Sequence, residues 1–161
     1  HQIVDAVHVA RSLNAVPPIS NQPQYSMLAP GIEASVLPAC VHHGLGNIVW
    51  SPLAQGALTG KYRAGASAPA GSRGADGQSS MFMSGFLSDD SLSKVERLGV
   101  IADRCGVSLA EFALSWCLRQ PAVSSVIVGA TKVEQIEQNV KASGVTFEQE
   151  VWDQVQEVLV R

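Results

Sequence analysis

Three short segments constrain this chain more than anything else in it: residues 19–22 (Ile-Ser-Asn-Gln), 47–51 (Asn-Ile-Val-Trp-Ser) and 124–128 (Ser-Ser-Val-Ile-Val). Each is short and, in the last two most clearly, β-branched or aromatic. Helix-length stretches with apolar residues every three or four positions separate them. Strands alternating with helices make βα units, and βα units make a parallel sheet rather than a sandwich or a bundle. A parallel sheet of three strands leaves two hydrophobic edges open, which parallel sheets normally keep paired or covered. Closure into a (β/α)₈ barrel takes eight strands and roughly 250 residues. The 161 residues here are sized for the last three strands and their helices. Residues 1–161 are therefore expected to be the C-terminal part of a single barrel domain, its N-terminal half missing. The first residue is His1 rather than methionine, which fits that expectation.

Between the strands, Ile3, Ala6, Val7, Ala10 and Leu13 mark one face of an opening helix, stopped by Pro17-Pro18. Residues 32–43 repeat the pattern. Pro38 should kink that helix or shorten it, and Gly44 offers a left-handed stop. Leu92, Val95, Leu98, Ile101 and Ala102 form a third stripe closed by Gly106. Ser108-Leu109-Ala110-Glu111 and Thr131-Lys132-Val133-Glu134 have the form of capping boxes, the second opening a helix to about Ala142. Thr146 is expected to cap a final helix reaching Val160. Residues 63–88 shift to Gly, Ala, Ser and Pro and read as a long flexible or lid-like loop.

Composition narrows the function classes. The apolar fraction of 46% is enough for a real core, and a net charge of -3 with 16% charged residues gives no basic face for nucleic acid. No apolar run approaches the roughly 20 residues that span a bilayer, so no membrane partner is expected. No signal peptide opens the chain, and Cys40, Cys105 and Cys117 are odd in number without zinc-site spacing. The expectation is a cytoplasmic protein with reduced thiols and no metal. His42-His43 reads as the end of a helix rather than a ligand pair.

Residues 48–62, Ile-Val-Trp-Ser-Pro-Leu-Ala-Gln-Gly-Ala-Leu-Thr-Gly-Lys-Tyr, resemble the aldo-keto reductase family, in particular its branch of potassium-channel β subunits. Asn21-Gln22-Pro23-Gln24-Tyr25-Ser26 upstream and Val128-Gly129-Ala130-Thr131 through Gln138-Asn139 downstream match at the required spacing. The resemblance implies a (β/α)₈ barrel in which these matches are the sixth, seventh and eighth strands. It also implies NADP(H) as cofactor and a small carbonyl compound as substrate. No GxGxxG fingerprint is present, and this family does not use one.

Each matched segment lies at a strand's C-terminal end, where barrels build their sites. The resemblance gives Gln22 to the nicotinamide carboxamide, which its paired donor and acceptor suit, although a polar strand end would look the same. Trp50 would stack on the nicotinamide ring. A lone strand Trp serves equally as core. Ser51, Pro52, Leu53, Gln55, Gly56 and Lys61 would embrace the pyrophosphate through backbone N–H groups, a hydroxyl and a point charge. Gly129 and Thr131 would meet the adenosine-side phosphate at a helix start, with Lys132 at the 2′-phosphate. Gln135, Gln138 and Asn139 match the positions that hold the adenosine. Gln138 departs from the family's usual Glu while keeping an acceptor. Arg73 matches the loop arginine over the adenosine phosphate.

The family's catalytic Tyr, Lys, Asp and His come, by the resemblance, from strands before His1, so no catalytic residue is assigned here. Lys61-Tyr62 is rejected as a substitute pair, because neighbours in an extended segment point to opposite sides. Two classes stay open: an NADPH-dependent reductase of aldehydes or ketones, and a non-catalytic nucleotide-sensing subunit. The chain on its own is expected to be inactive and to pair with itself through its open edges, so a homo-oligomer is compatible with the sequence.

Overall fold

The computed structural model describes residues 1–69, 71–75 and 85–160, with the Arg73 side chain set aside. Its sheet has three strands, β1 (Ser20–Asn21), β2 (Gly46–Trp50) and β3 (Val123–Ile127), in the order β1-β2-β3. Both pairings are parallel. The α/β class and the parallel sheet expected from strand–helix alternation are thus present.

Helix α1 (Gln2–Ser12) packs on α2 (Val36–His43) through Val7, Cys40 and Leu45. Pro38 does not kink α2. It occupies the third helical position, where the absent N–H has no intrahelical carbonyl to meet, and the break falls instead at Ser35 (φ -144°), after a 3₁₀ turn Gly31–Ala34. Gly44 ends α2 in the left-handed region at φ 77°, as expected.

Helix α3 (Asp89–Arg104) starts three residues before the apolar stripe because the Ser88 hydroxyl accepts from the Ser91 N–H. Ser108 caps α4 (Leu109–Leu118) through the Glu111 N–H at 3.2 Å. The Thr131 box does not form. Helix α5 (Val133–Val140) has Lys132 at its N-cap without a side-chain cap, and Gln135, not Glu134, reaches back. Helix α6 (Gln149–Val160) begins three residues beyond Thr146, which therefore does not cap it. No helix among the described residues is long and apolar enough to cross a membrane.

The main core lies between the helix-covered face of the sheet and α3, α4 and α6. Val49 and Val123 meet Leu98, Phe112, Trp116, Val155 and Val158 there. Trp116 stacks on Tyr25 at 4.9 Å, and Phe112 sits against both Phe147 and Trp152. Burying aromatic rings of this size dominates a core of these dimensions. Alternation along β2 sends Asn47 and Val49 into that core and leaves Ile48 and Trp50 on the opposite face.

Candidate cofactor site

Because all three strands run the same way, their C-terminal ends share one edge. The Trp50 N–H donates to the Pro23 carbonyl at 3.1 Å, and the Tyr25 N–H donates to the Trp50 carbonyl at 3.2 Å. The register that pairs Asn21 with Asn47 and Gln24 with Trp50 sets Gln22 level with Ile48, on the face that carries Trp50. On the other side Trp50 is in register with Ile127. Gln22 thus lies on the face that carries Trp50, level with Ile48 two residues before it, while Gln24 is level with Trp50 itself; Trp50 is 39% exposed, so it is not spent as core.

Asn47, which sequence reasoning passed over, secures this edge. It is fully buried, accepts from Asn21 Nδ2 (3.2 Å) and the Cys40 thiol (3.4 Å), and donates to the Ala122 carbonyl (2.9 Å). One side chain thus ties β2 to β1, to α2 and to the entry of β3. Asparagine is depleted in strands, and its presence in an apolar one was the available signal.

The chain leaving β2 is strained. Ser51 (φ 55°), Ala54 (φ 48°) and Gln55 (φ 58°) adopt the left-handed region, as does Gly56 (φ 102°). Asn14 is the one other non-glycine residue with positive φ among those described. Each such residue costs on the order of 1–3 kcal/mol and persists only where its surroundings hold it. Here Pro52, Ala54, Ala57 and Leu58 are buried beneath the turn, and Gln55 Nε2 donates to Ser51 Oγ at 2.6 Å. Neighbouring residues of opposite hand, as Leu53 (φ -97°) and Ala54 are, can curl a backbone into a concavity of the kind that takes anions. Not every amide expected to face a phosphate does so. The Ala54 and Gly56 N–H groups are bonded to the Ser51 and Leu53 carbonyls. Gly56 contributes space instead: a side-chain carbon there would meet Lys61 Nζ at 3.4 Å, so the ammonium lies against the turn.

Tyr62 packs in a small apolar cluster with Leu92, Ala68 and Leu87, but Lys61 Nζ stands 5.2 Å from its ring centroid, so the two neighbours do not keep to opposite sides of the chain as expected for an extended segment. Its hydroxyl accepts from the Gly74 N–H at 3.1 Å. Burial raises its pKa, but the Ser72 hydroxyl, the Gly74 N–H and the Lys61 ammonium outweigh that and hold it below the usual phenol range. The phenol is thus engaged both with the following arm and with Lys61. Arg73 opens a 3₁₀ turn Arg73–Ala75, while its side chain lies outside what is described. Of the loop expected over residues 63–88, residues 70 and 76–84 also lie outside the described residues.

After β3, Gly129, Thr131 and Lys132 are exposed, as are Gln135 and Gln138, while Asn139 is half-buried. Gln135 Oε1 accepts from the Thr131 N–H at 2.8 Å and stands 3.3 Å from its hydroxyl, so the amide expected to meet a phosphate already has a partner. His42 and His43 end α2 beside His8. Among the described residues no group of three His, Cys, Asp or Glu could hold a metal ion.

A separate network sits beneath the β1 end. Tyr25 donates to Glu33 Oε1 at 2.5 Å, and Arg119 and Gln120 converge on the same carboxylate oxygen. Burial first, then Glu33, pushes the Tyr25 phenol far above its usual range. Burial likewise pushes the Cys117 thiol up to about 12, with Arg119 opposing and Glu33 adding. A shallow concavity of about 420 Å³ lined by Arg119, Gln120, Gln149, Trp152, Asp153 and Gln156 lies between α4 and α6, on other elements than the strand ends.

The chain is similar to a "Probable voltage-gated potassium channel subunit beta" of Arabidopsis thaliana, 47% identical over 142 residues that cover 88% of this chain and 43% of that protein. A protein of the same description from Oryza sativa subsp. japonica is 45% identical over 161 residues, 98% of this chain and 49% of the relative. The chain thus spans about half the length of these curated relatives. The profile described as "Aldo/keto reductase family" matches residues 2–160, and with strand ends, cradle and helices in the order set out above, the chain belongs to the aldo/keto reductase family.

Proposed function

We propose that the intact protein is an NADPH-dependent oxidoreductase that reduces aldehydes or ketones, with this chain forming the last three βα units of a (β/α)₈ barrel and much of its cofactor site. The observation that carries the reading is the strained Ser51–Gly56 cradle directly after an exposed Trp50 at a strand's C-terminal end. Strain concentrated at one strand end is the mark of a site held ready for a ligand. In this reading Trp50 stacks on the nicotinamide and Gln22 bonds its carboxamide, fixing which ring face meets the substrate. The cradle and Lys61 take the pyrophosphate, and Lys132 takes the 2′-phosphate. Bound NADPH supplies the hydride. The proton for the nascent alkoxide comes from family positions outside these residues.

Both relatives are named as channel β subunits, and this favours a second reading, a nucleotide-sensing subunit without turnover. One experiment separates the two. Titrating the intact protein with NADPH by fluorescence, then following NADPH oxidation with a reactive aromatic aldehyde, should give saturable binding and turnover. Binding without turnover would leave the sensor, and no binding would remove both.

A further inference from the structure

Beyond Asn21 the β1 side of the strand-end edge has little support from the sheet itself. β1 is two residues long, Pro23 has no N–H to offer, and what continues is a single bridge from Gln24 to Trp50. Yet this short extension takes both backbone groups of Trp50, whose N–H goes to the Pro23 carbonyl and whose carbonyl accepts the Tyr25 N–H. Tyr25 is what anchors the extension. It is fully buried, its ring stacks on Trp116 at 4.9 Å, and the Arg119 guanidinium lies 4.3 Å over the same Trp116 ring. Its hydroxyl donates to Glu33 Oε1, an oxygen that also accepts from Arg119 Nη2 (3.3 Å) and Gln120 Nε2 (3.2 Å). Glu33 sits on the 3₁₀ turn Gly31–Ala34, outside the sheet, so the outermost support of the Trp50 backbone on this side is a carboxylate from a separate element.

We propose that Glu33 is a positioning residue, which through the Tyr25 hydroxyl fixes residues 23–25 against Trp50 and so sets the plane of the exposed indole for the nicotinamide. The inference rests on the cofactor reading above. Ring stacking needs two faces at contact distance and in the right tilt, so a small turn of the Trp50 backbone is felt at the indole. Without Glu33 the buried phenol loses its acceptor, and the extension is left with ring packing alone. The turn from Ser51 to Gly56 stands on its own buried Pro52, Ala54, Ala57 and Leu58, so the effect is confined to the nicotinamide end of the dinucleotide. Tyr25 belongs to the core on the helix-covered face and Trp50 lies on the opposite one, so the network acts through Trp50 and not on the ligand directly.

The test uses the intact protein and two ligands, NADPH and adenosine 2′,5′-bisphosphate, which keeps the adenosine end and lacks the nicotinamide. Glu33→Ala removes the acceptor, Tyr25→Phe removes the donor and keeps the ring, and Glu33→Gln keeps an acceptor oxygen. Loss of one hydrogen bond of this kind corresponds to about three- to tenfold weaker binding. The expected result is that loss for NADPH in Glu33→Ala and Tyr25→Phe, an unchanged affinity for the bisphosphate, and recovery of most of the NADPH affinity in Glu33→Gln. In a Trp50→Ala background Glu33→Ala should add nothing further, because the side chain it positions is gone. Equal weakening of both ligands, full additivity with Trp50→Ala, or NADPH affinity unchanged in both single variants would overturn the positioning role and leave the cofactor site standing. Where Glu33→Ala fails to fold, Tyr25→Phe, alone and combined with Trp50→Ala, decides by the same criteria. Failure of the parent to bind NADPH would instead overturn the site, and the role of Glu33 with it.

Discussion

The chain that leaves β2 and the chain that leaves β3 both sit at the same edge of the sheet, yet they are built differently. After β2, four of six residues take positive φ, the turn stands on buried Pro52, Ala54, Ala57 and Leu58, and Asn47 pins the strand beneath. After β3, residues 127–138 are all exposed, and Thr131 bonds to Gln135 within the same stretch. The difference teaches where preorganisation comes from. A backbone can be held in a costly conformation only above a packed layer that prevents relaxation, and the turn after β2 stands on one, with β2 itself between two strands while β3 lies at the end of the sheet.

The largest expected effect follows from removing that support. Asn47→Ala removes the acceptor of the Asn21 amide and the Cys40 thiol and leaves a void, while the Ala122 carbonyl keeps the residue 47 backbone N–H, for a loss of about 1–3 kcal/mol. Ser125→Ala, two residues beyond Val123, the register partner of Asn47 on β3, and exposed, should stay within about 0.5 kcal/mol. Urea denaturation of the two variants measures the contrast directly, and equal losses would show that β3 is as firmly held as β2.

Alkali should attack the same support next. Tyr25, whose N–H bonds Trp50, and Cys117, whose thiol lies 3.9 Å from the Tyr25 carbonyl, both have pKa values raised in the folded state. The unfolded chain releases these protons first, so the native state binds more protons above roughly pH 8.5 and its stability declines from there. The thiol's share is complete below that pH and is lost by about 12. Each group removes up to about 1.4 kcal/mol per pH unit within its window. Cys117→Ala should flatten the stability profile between pH 8.5 and 10.5, as read by denaturant midpoints; a profile identical to the parent's would mean that the thiol is not desolvated.

Much of this was legible in the residues. Strand positions, the Gly44 stop and the Ser108 cap follow from local rules, because the partner of each signal lies within a few positions. Asn47 was not, since its partners lie 7, 26 and 75 residues away. The capping partner of Thr131 was misread by one position because Glu134 and Gln135 both place a side-chain acceptor within a turn, and only packing chooses between them. Trp50 was ambiguous for a related reason: alternation identifies two faces but does not say which one the helices cover.

The two lysines sharpen the comparison at a smaller scale. Lys61 lies against a rigid turn, so Lys61→Ala should weaken NADPH and NADH alike, by about 1–2 kcal/mol in fluorescence titrations. Lys132 stands exposed at the N-cap of α5, and Lys132→Ala should weaken NADPH alone, by about 1 kcal/mol. Equal losses for both cofactors at Lys132 would remove it from the 2′-phosphate.

The smallest effect is expected on α5, and it reads the other side of the contrast. Val133, Ile136 and Val140 form an apolar stripe, yet Ile136 is 54% exposed and no residue of the helix is buried. Ile127 and Val128, at the end of β3, are exposed as well. In a protein limited to residues 1–161, Ile136→Lys removes little that is packed, so its unfolding free energy should move by less than about 0.5 kcal/mol. The same change should reduce self-association, because a charge interrupts an exposed apolar patch. In a closed barrel the stripe would be covered and the substitution would cost several times more, about 2 kcal/mol or beyond. Denaturation paired with light scattering, run on both lengths of protein, therefore reports what covers α5. A large loss in the 161-residue chain alone would mean that the helix has found a partner in solution, and the contrast between the two strand ends would have to be redrawn.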